Sequence, residues 1–285
     1  MDSPPVNFTL GPYELSAATA FGPRLTGLKR NDGPEMFANL GPEKVIKHPD
    51  SGIYRFHGGH RLWAAPEVPA ITYASDDHPC LVAFDSDKVI VTALPDKAGL
   101  AKELKVSLVD GRVGVDHRIF NAGLNPVSIA PWGITQLRLG GTALLPVQGW
   151  PAADLSQANR SVVLWPYTNL ADSRLTWLDR AVVIKAIAGP RLKIGSGPKP
   201  GRLGYLLDGY LFIKEVPSVS PGSYPDPVYP DLGAVAQVFV DESFCELESV
   251  GVVGQLAPGA SMSHRETWEI KVCRDLATAH RMIFE

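Results

Sequence analysis

Short runs of alternating apolar and polar residues recur along almost the whole chain, and glycines and prolines separate them. Residues 113–120 are typical, because Val115, His117 and Ile119 would share one face of an extended strand. Only residues 275–284 have a helical pattern. Many short strands joined by turns are typical of a sandwich. The sequence therefore predicts an all-β fold, a large antiparallel β-sandwich that forms a single domain over residues 1–285 and ends in a short helix.

Turn residues refine this prediction at four places. Asp208-Gly209 lies between two apolar runs and predicts a hairpin. Pro131-Trp132-Gly133 is expected to interrupt a strand that begins at residue 127 and resumes at residue 134. Residues 41–53 are polar and predict a loop. Residues 218–231 are rich in proline and predict irregular structure, and the sequence leaves open whether they form a lid over a site.

Composition removes several classes of function. The 285 residues are 45% hydrophobic and carry a formal net charge of -3, so there is no basic excess to bind nucleic acid. No apolar run is long enough to span a membrane, and the N-terminus lacks a signal peptide, which predicts a cytoplasmic protein, or a periplasmic one if a signal has been removed. Three dispersed cysteines predict free thiols. Neither a nucleophile elbow nor a phosphate-binding loop occurs, and no cofactor is expected.

The stretch GGHRLWAAPE at residues 58–67 concentrates unusual chemistry. His57, His60 and Arg61 supply polar groups that can bond the hydroxyls of a polyol, and the indole of Trp63 can cover the apolar face of a sugar. The alternative is an aromatic corner between two strands, with Arg61 on the surface. No helical metal motif is present, and we predict no metal site.

Two acidic groups are further candidates. Glu246 and Glu248 are two residues apart, so a strand would place both carboxylates on one face, where each raises the pKa of the other and prepares one of them for proton transfer. If that face meets water, the pair has no role. Asp76 and Asp77 precede His78 and would orient it, or they form an ordinary acidic turn. Tryptophans and tyrosines at strand ends would line a sugar groove or belong to the core; they are Trp132, Trp150, Trp165, Tyr167 and Trp177.

Several motifs together resemble the galactose mutarotase-like superfamily, most closely an uncharacterised bacterial branch. They are GGHRLWAAPE, HRIFN at residues 117–121, APW at 130–132, LWPYT at 164–168, YPDLG at 229–233 and LAPG at 256–259, together with residues 246–248. The resemblance implies a β-supersandwich with a carbohydrate cleft on its concave sheet. It also implies interconversion of sugar anomers, in which a glutamate takes the anomeric proton while a histidine protonates the ring oxygen.

Carried onto this chain, the resemblance makes Glu248 the base, with Glu246 as the alternative, and His78 or His60 the acid. Arg61 or His60 would grip the sugar hydroxyls, while Arg61, Trp63 and Trp132 would hold the ring. The chain departs from the family where the acid histidine is expected, because this place is occupied by Trp132, so His60, His78 or His117 would have to supply the acid from another strand. Three hypotheses follow: an aldose 1-epimerase-like isomerase, a carbohydrate-binding protein without turnover, or a structural β-sandwich with a vestigial cleft. A small-molecule carbohydrate is the expected partner of a monomer or homodimer.

Overall fold

The structure is a computed structural model that describes residues 3–149, 156, 158–197, 201–216 and 228–284. Its strands, in chain order, are β1 (Val6–Leu10), β2 (Tyr13–Ala17), β3 (Arg24–Arg30), β4 (Val45–His48), β5 (Gly52–Arg55), β6 (Gly59–Ala65), β7 (Cys80–Asp85), β8 (Lys88–Ala93), β9 (Leu100–Val109), β10 (Arg112–Asn121), β11 (Val127–Leu137), β12 (Thr142–Pro146), β13 (Ser161–Leu164), β14 (Leu175–Trp177), β15 (Ala181–Lys185), β16 (Leu192–Gly197), β17 (Arg202–Leu207), β18 (Tyr210–Glu215), β19 (Ala236–Val240), β20 (Cys245–Val250), β21 (Gly254–Leu256) and β22 (Ser261–Val272). Helices α1 (Pro69–Thr72) and α2 (Leu276–Phe284) and a 3₁₀ turn (Asp231–Gly233) complete the elements of these residues.

Two large antiparallel sheets face each other. The first, here called the cleft sheet, has the order β1-β2-β3-β6-β11-β20-β19-β16-β13, with β21 also paired to β11. The second, here called the back sheet, has the order β14-β15-β12-β17-β18-β22-β10-β9-β8-β7. Their facing surfaces bury one continuous core of mainly branched aliphatic side chains. The all-β prediction is confirmed, as is the C-terminal helix.

The hairpin prediction at Asp208-Gly209 is also confirmed, since these residues join β17 to β18 and both have positive φ, 48° and 81°. The predicted loop over residues 41–53 is wrong in part, because β4 and β5 pair there as a separate two-stranded hairpin. Most of residues 218–231, for which a lid was considered, lies outside the described residues, as does Trp150.

The predicted break at Pro131 is wrong, because β11 runs through it without interruption. On one side of β11, residues before Pro131 pair with β21 and residues from Trp132 onward pair with β20. Pro131 therefore lies where the strand changes its neighbour, and the missing N–H removes no bond from a regular ladder. This continuity keeps Trp132 in register with Trp63 on β6.

Two other sequence predictions concern the cysteines and membrane-spanning segments. All three cysteines are free, and Cys245 and Cys273 are buried. Among the described residues, neither helix is long and apolar enough to cross a membrane.

Candidate functional site

Strands β6, β11 and β20 are neighbours in the middle of the cleft sheet. Successive side chains of a strand point to opposite faces of the sheet, so alternate residues of these strands enter the core between the sheets or lie on the opposite face. Leu62 and Leu247 enter the core between the sheets. Trp63, Trp132 and Val250 belong to a separate apolar cluster on the opposite face. That face also carries Glu246 and Glu248, so the prediction that the two carboxylates share a face is confirmed by the strand assignment.

A pocket of about 570 Å³ lies over this face. The β4–β5 hairpin and the segment before it, the strands β16, β19 and β20, and several connecting loops contribute to it. Its lining is Glu43, Lys44, Val45, Ile46, Lys47, Phe56, Glu67, Tyr73, Trp132, Trp165, Tyr167, Arg191, Lys193, Phe239, Asp241, Glu242, Phe244 and Glu246. The lining therefore combines aromatic rings with charged groups, and the size of the pocket suits a small ligand.

Glu246, like Asp241, is a buried carboxyl group in the lining of this pocket. Its Oε1 accepts a hydrogen bond of 3.0 Å from Arg61 Nη2, and the two side chains are 8% and 1% exposed. Burial raises the pKa of Glu246 to about 7, Arg61 opposes this shift, and the charge of Glu248 adds to it. A carboxyl group with this pKa exchanges protons readily at neutral pH.

Arg61 is held beneath the pocket by aromatic rings. Its guanidinium carbon lies 4.1 Å from the ring centre of Trp63 and 5.3 Å from that of Phe56. The indole N–H of Trp63 donates to Tyr54 Oη at 2.9 Å. Neither Arg61 nor Trp63 lines the pocket. Arg61 therefore supports Glu246 and Trp63 packs on Arg61, while contact of either residue with a ligand stays a prediction.

Glu248 is fully buried and is oriented by two donors. Its Oε2 accepts hydrogen bonds from Trp132 Nε1 and from Lys193 Nζ, both at 2.8 Å. Lys193 in turn lies between two indoles, with its Nζ 4.7 Å from the ring centre of Trp132 and 4.6 Å from that of Trp165. Glu248 Oε1 has no hydrogen-bond partner in the described part of the chain. One oxygen of the carboxylate is thus fixed, while the other is buried without a partner among the described residues, and Glu248 is not part of the pocket lining.

His60 was predicted as a catalytic acid, but its ring lies on the other side of β6, between the sheets. It is fully buried; its Nδ1 is 2.9 Å from Thr135 Oγ1 and its Nε2 is 2.7 Å from His117 Nε2. His117 Nδ1 donates to the carbonyl of His264, which fixes its tautomer. Burial lowers the pKa of His60 well below its ordinary value and lowers that of His117 as well. His60 is therefore a neutral core residue like His117, and neither belongs to the pocket lining.

The same inter-sheet space holds a buried cation. Lys214 on β18 donates to the carbonyls of Gly133 at 3.0 Å and Leu247 at 2.9 Å, and its Nζ lies 2.9 Å from Glu266 Oε1. Glu266 also accepts from Ser249 Oγ and from the indole of Trp268. His60, His117 and Glu266 lie close enough together to bind a metal ion, but the ammonium of Lys214 already supplies the positive charge beside Glu266.

The other two predicted histidines lie outside the pocket lining. His57 is half-buried, stacks on Phe21 at 3.8 Å, and its Nε2 is 2.6 Å from Asp77 Oδ1. His78 is exposed on the turn before β7, where Asp76 and Asp77 do not orient it, because they bind Arg24 and His57 instead. His57, Asp76 and Asp77 form a second set with metal-ligand spacing, although Arg24 and Arg55 already pair with its two carboxylates.

Lys193 is the main residue that the sequence reasoning missed. It stands alone as a charged side chain in the otherwise apolar and glycine-containing strand Leu192–Gly197, and it is 6% exposed. A lone lysine in a buried strand requires a counter-ion, and this signal was available in the sequence. The aromatic groups Trp165 and Tyr167, which were considered for a sugar groove, do line the pocket together with Trp132.

No protein-family model matches the chain, and no functionally curated protein matches it in sequence. Comparison with solved structures gives matches over nearly the whole chain. A putative aldose 1-epimerase from Escherichia coli K12 aligns with 94% of this chain and 99% of its own, with a TM-score of 0.56 and 12% identity. A galactose mutarotase-like protein from Lactobacillus casei aligns with 94% of this chain and 100% of its own, with a TM-score of 0.54 and 12% identity.

A galactose mutarotase-related enzyme from Lactobacillus acidophilus aligns with 95% of this chain and 99% of its own, with a TM-score of 0.55 and 10% identity. At such low identity the agreement concerns backbone architecture, and it covers 94–95% of this chain. The chain has the fold of galactose mutarotase-like proteins.

Proposed function

We propose that the chain is an aldose 1-epimerase-like isomerase that interconverts the anomers of a free sugar or sugar derivative in the pocket over the cleft sheet. The observation that carries this proposal is the carboxyl pair Glu246 and Glu248 on one strand beneath an aromatic pocket. Opening a sugar ring needs one group that takes the anomeric proton and one that supplies a proton to the ring oxygen. A carboxyl pair in two different environments supports such a division.

Glu248 is the base in this proposal. Trp132 and Lys193 hold Oε2, while Oε1 remains without a partner in the described residues. A carboxylate that is fixed through one oxygen keeps the other oxygen as a hydrogen-bond acceptor, and the proposal assigns the anomeric proton to this oxygen. Trp132 thereby acquires a role at the position where the resemblance led us to expect a histidine: it positions the base and does not itself transfer a proton.

The pocket lining supports a carbohydrate as the ligand. Trp132, Trp165 and Tyr167 offer apolar faces that match the C–H faces of a pyranose ring. Further buried polar atoms lack partners in the described residues close to this face, including both terminal atoms of Gln136 and Oε1 of Gln237. Glutamine amides of this kind supply both donors and acceptors to hydroxyl groups.

The test is NMR measurement of α/β exchange across a panel of hexoses, pentoses and uronic acids, with and without protein. We expect faster exchange for one class of sugar, and a fall of about two to four powers of ten in the Glu248→Gln variant with sugar affinity retained. Selective line broadening without faster exchange would indicate the alternative, a carbohydrate-binding protein without turnover. If no sugar shows either effect, the proposal is wrong.

A further inference from the structure

The pocket contains no histidine among the residues that the structure describes, although all seven histidines of the chain lie within them. The proton donor for ring opening must therefore be another group. The pocket lining offers lysines, an arginine, tyrosines and carboxyl groups, and these can be compared by their contacts.

Most of these groups are already engaged or are weak acids. Lys44 pairs with Asp241 and Glu242, and Lys193 pairs with Glu248 between two indoles, so both ammonium groups already donate to carboxylates. Burial raises the pKa of Tyr73 and Tyr167, so both phenols are weaker acids than usual. Arginine does not give up its proton at neutral pH.

Among the described carboxyl groups of the lining, only Asp241 and Glu246 are buried. Asp241 already accepts hydrogen bonds from Lys44 and from two backbone N–H groups. Glu246 differs, because a single cation, Arg61, contacts one of its oxygens at 3.0 Å and its side chain is 8% exposed. Its neighbour on the same face of β20 is Glu248, two residues along the strand. Glu246 lines the pocket, and Glu248 lies fully buried beside it on the same face of one rigid strand, an arrangement that suits a division of labour between acid and base.

We propose that Glu246 is the general acid of this site and takes the part that a histidine would otherwise play. This inference rests on the proposed function. The carboxylic proton of Glu246 passes to the ring oxygen of the sugar while Glu248 Oε1 takes the proton of the anomeric hydroxyl. The electron pair of that O–H bond forms the carbonyl, and the pair of the C1–O5 bond remains on O5, which the new proton occupies.

The open-chain aldehyde then rotates about C1–C2 and closes on its other face. During closure Glu248 returns a proton to the carbonyl oxygen, and Glu246 recovers its proton from the hydroxyl on C5. Both carboxyl groups end in their starting states, so no external acid, base or redox partner is consumed. Arg61 is a positioning residue in this scheme, because it touches Glu246 and not the ligand.

The environment of Glu246 agrees with this role. Burial raises its pKa to about 7, and the charge of Glu248 contributes in the same direction. About half of the Glu246 side chains therefore carry the proton at neutral pH, which is the condition for an efficient acid. Because the acid must be protonated, the exchange rate should fall by about tenfold per pH unit well above pH 7.

The experiment compares the full chain with Glu246→Gln and with a matched control, Glu14→Gln, which changes an exposed glutamate on β2 of the same sheet outside the pocket. Anomer exchange is measured from pH 5 to pH 9. Glu246→Gln should lower the rate by about two to four powers of ten and remove the alkaline fall, with sugar affinity kept within about tenfold. The control should behave as the unchanged chain.

A second measurement does not depend on turnover. In protein labelled with ¹³C at the glutamate carboxyl carbon, one carboxyl should titrate near pH 7, be absent from Glu246→Gln and persist in Glu14→Gln. This measurement on the unchanged chain also decides the question if Glu246→Gln does not fold. The inference is overturned if Glu246 titrates at an ordinary glutamate pKa, or if Glu246→Gln exchanges anomers as fast as the unchanged chain. Absence of exchange in the unchanged chain would instead refute the proposed function itself.

Discussion

Replacing Lys214 by methionine should destabilise the fold strongly. Lys214 is completely buried and joins the two sheets, because β18 of the back sheet carries it while Gly133 and Leu247 of the cleft sheet accept its protons. It also forms an ion pair of 2.9 Å with the fully buried Glu266. Methionine fills a similar volume, so the change removes charge and hydrogen bonds and leaves little empty space.

The magnitude follows from the carboxylate that is left behind. Removing one partner of a buried ion pair costs about 3–5 kcal/mol, because the remaining charge has no compensation. For 285 residues the entropy of unfolding is about 0.6 kcal/mol per kelvin, at about 2 cal/mol per kelvin per residue. A loss of about 4 kcal/mol therefore lowers the melting temperature by about 7 °C.

Differential scanning calorimetry and urea unfolding measure this loss. The matched control is Lys29→Met, which removes an ion pair between side chains that are 39% and 49% exposed and should change stability by less than about 1 kcal/mol. The double variant Lys214→Met, Glu266→Gln removes both charges and keeps an acceptor for the indole of Trp268. It should be more stable than Lys214→Met alone. A double variant that is less stable, or a single variant that melts like the unchanged chain, would refute this reasoning.

Three further predictions concern pH, backbone and ligand. Burial lowers the pKa of three histidines, His60, His117 and His264, so at each of these sites the unfolded chain binds more protons than the native one below pH 6.5. Glu246, with a raised pKa, acts in the opposite direction. Because the three histidines outnumber it, the free energy of unfolding should fall as the pH is lowered from 6.5 to 5.5 in urea titrations. Gly59→Ala should lower the free energy of unfolding by more than about 2 kcal/mol, because φ is 71° and a Cβ would lie 2.0 Å from the carbonyl oxygen of Leu25. Gly111→Ala is the matched control. Its φ is 74° but a Cβ there would meet open space, so it should cost about 1 kcal/mol. Trp165→Leu should weaken binding of the sugar that shows anomer exchange by about tenfold in NMR titrations, without lowering the melting temperature.

Much of the fold could be predicted from the sequence, because period-two patterns and Asp-Gly turns are local signals. The sequence could not predict which side chains of β6 face the core and which face the cleft. All seven of its residues are buried, so the pattern gives no contrast between a core face and a cleft face. The sequence analysis therefore grouped His60 with Arg61 and Trp63 as one cluster, although neighbours along a strand point to opposite sides of the sheet.

Long-range partners limited the prediction of the site in the same way. The pairing of Lys193 with Glu248 and of Arg61 with Glu246 joins residues that are 55 and 185 positions apart. No local pattern specifies such pairs, because they depend on the order of strands in the cleft sheet. The carboxyl pair on β20, in contrast, needed only the two-residue period of a strand, and its prediction was correct.

The central strands of the cleft sheet connect these two kinds of chemistry through alternate residues. On β20, Glu246 and Glu248 point to the pocket side, while the carbonyl of Leu247 between them accepts a proton of Lys214 from the other side. Burial lowers the pKa of Lys214, and the charge of Glu266 opposes this shift most strongly, followed by the charges of Glu248 and Glu246. Lys214 therefore stabilises the two-sheet core from one side of β20 and interacts electrostatically with the two carboxylates on the other side of the same strand.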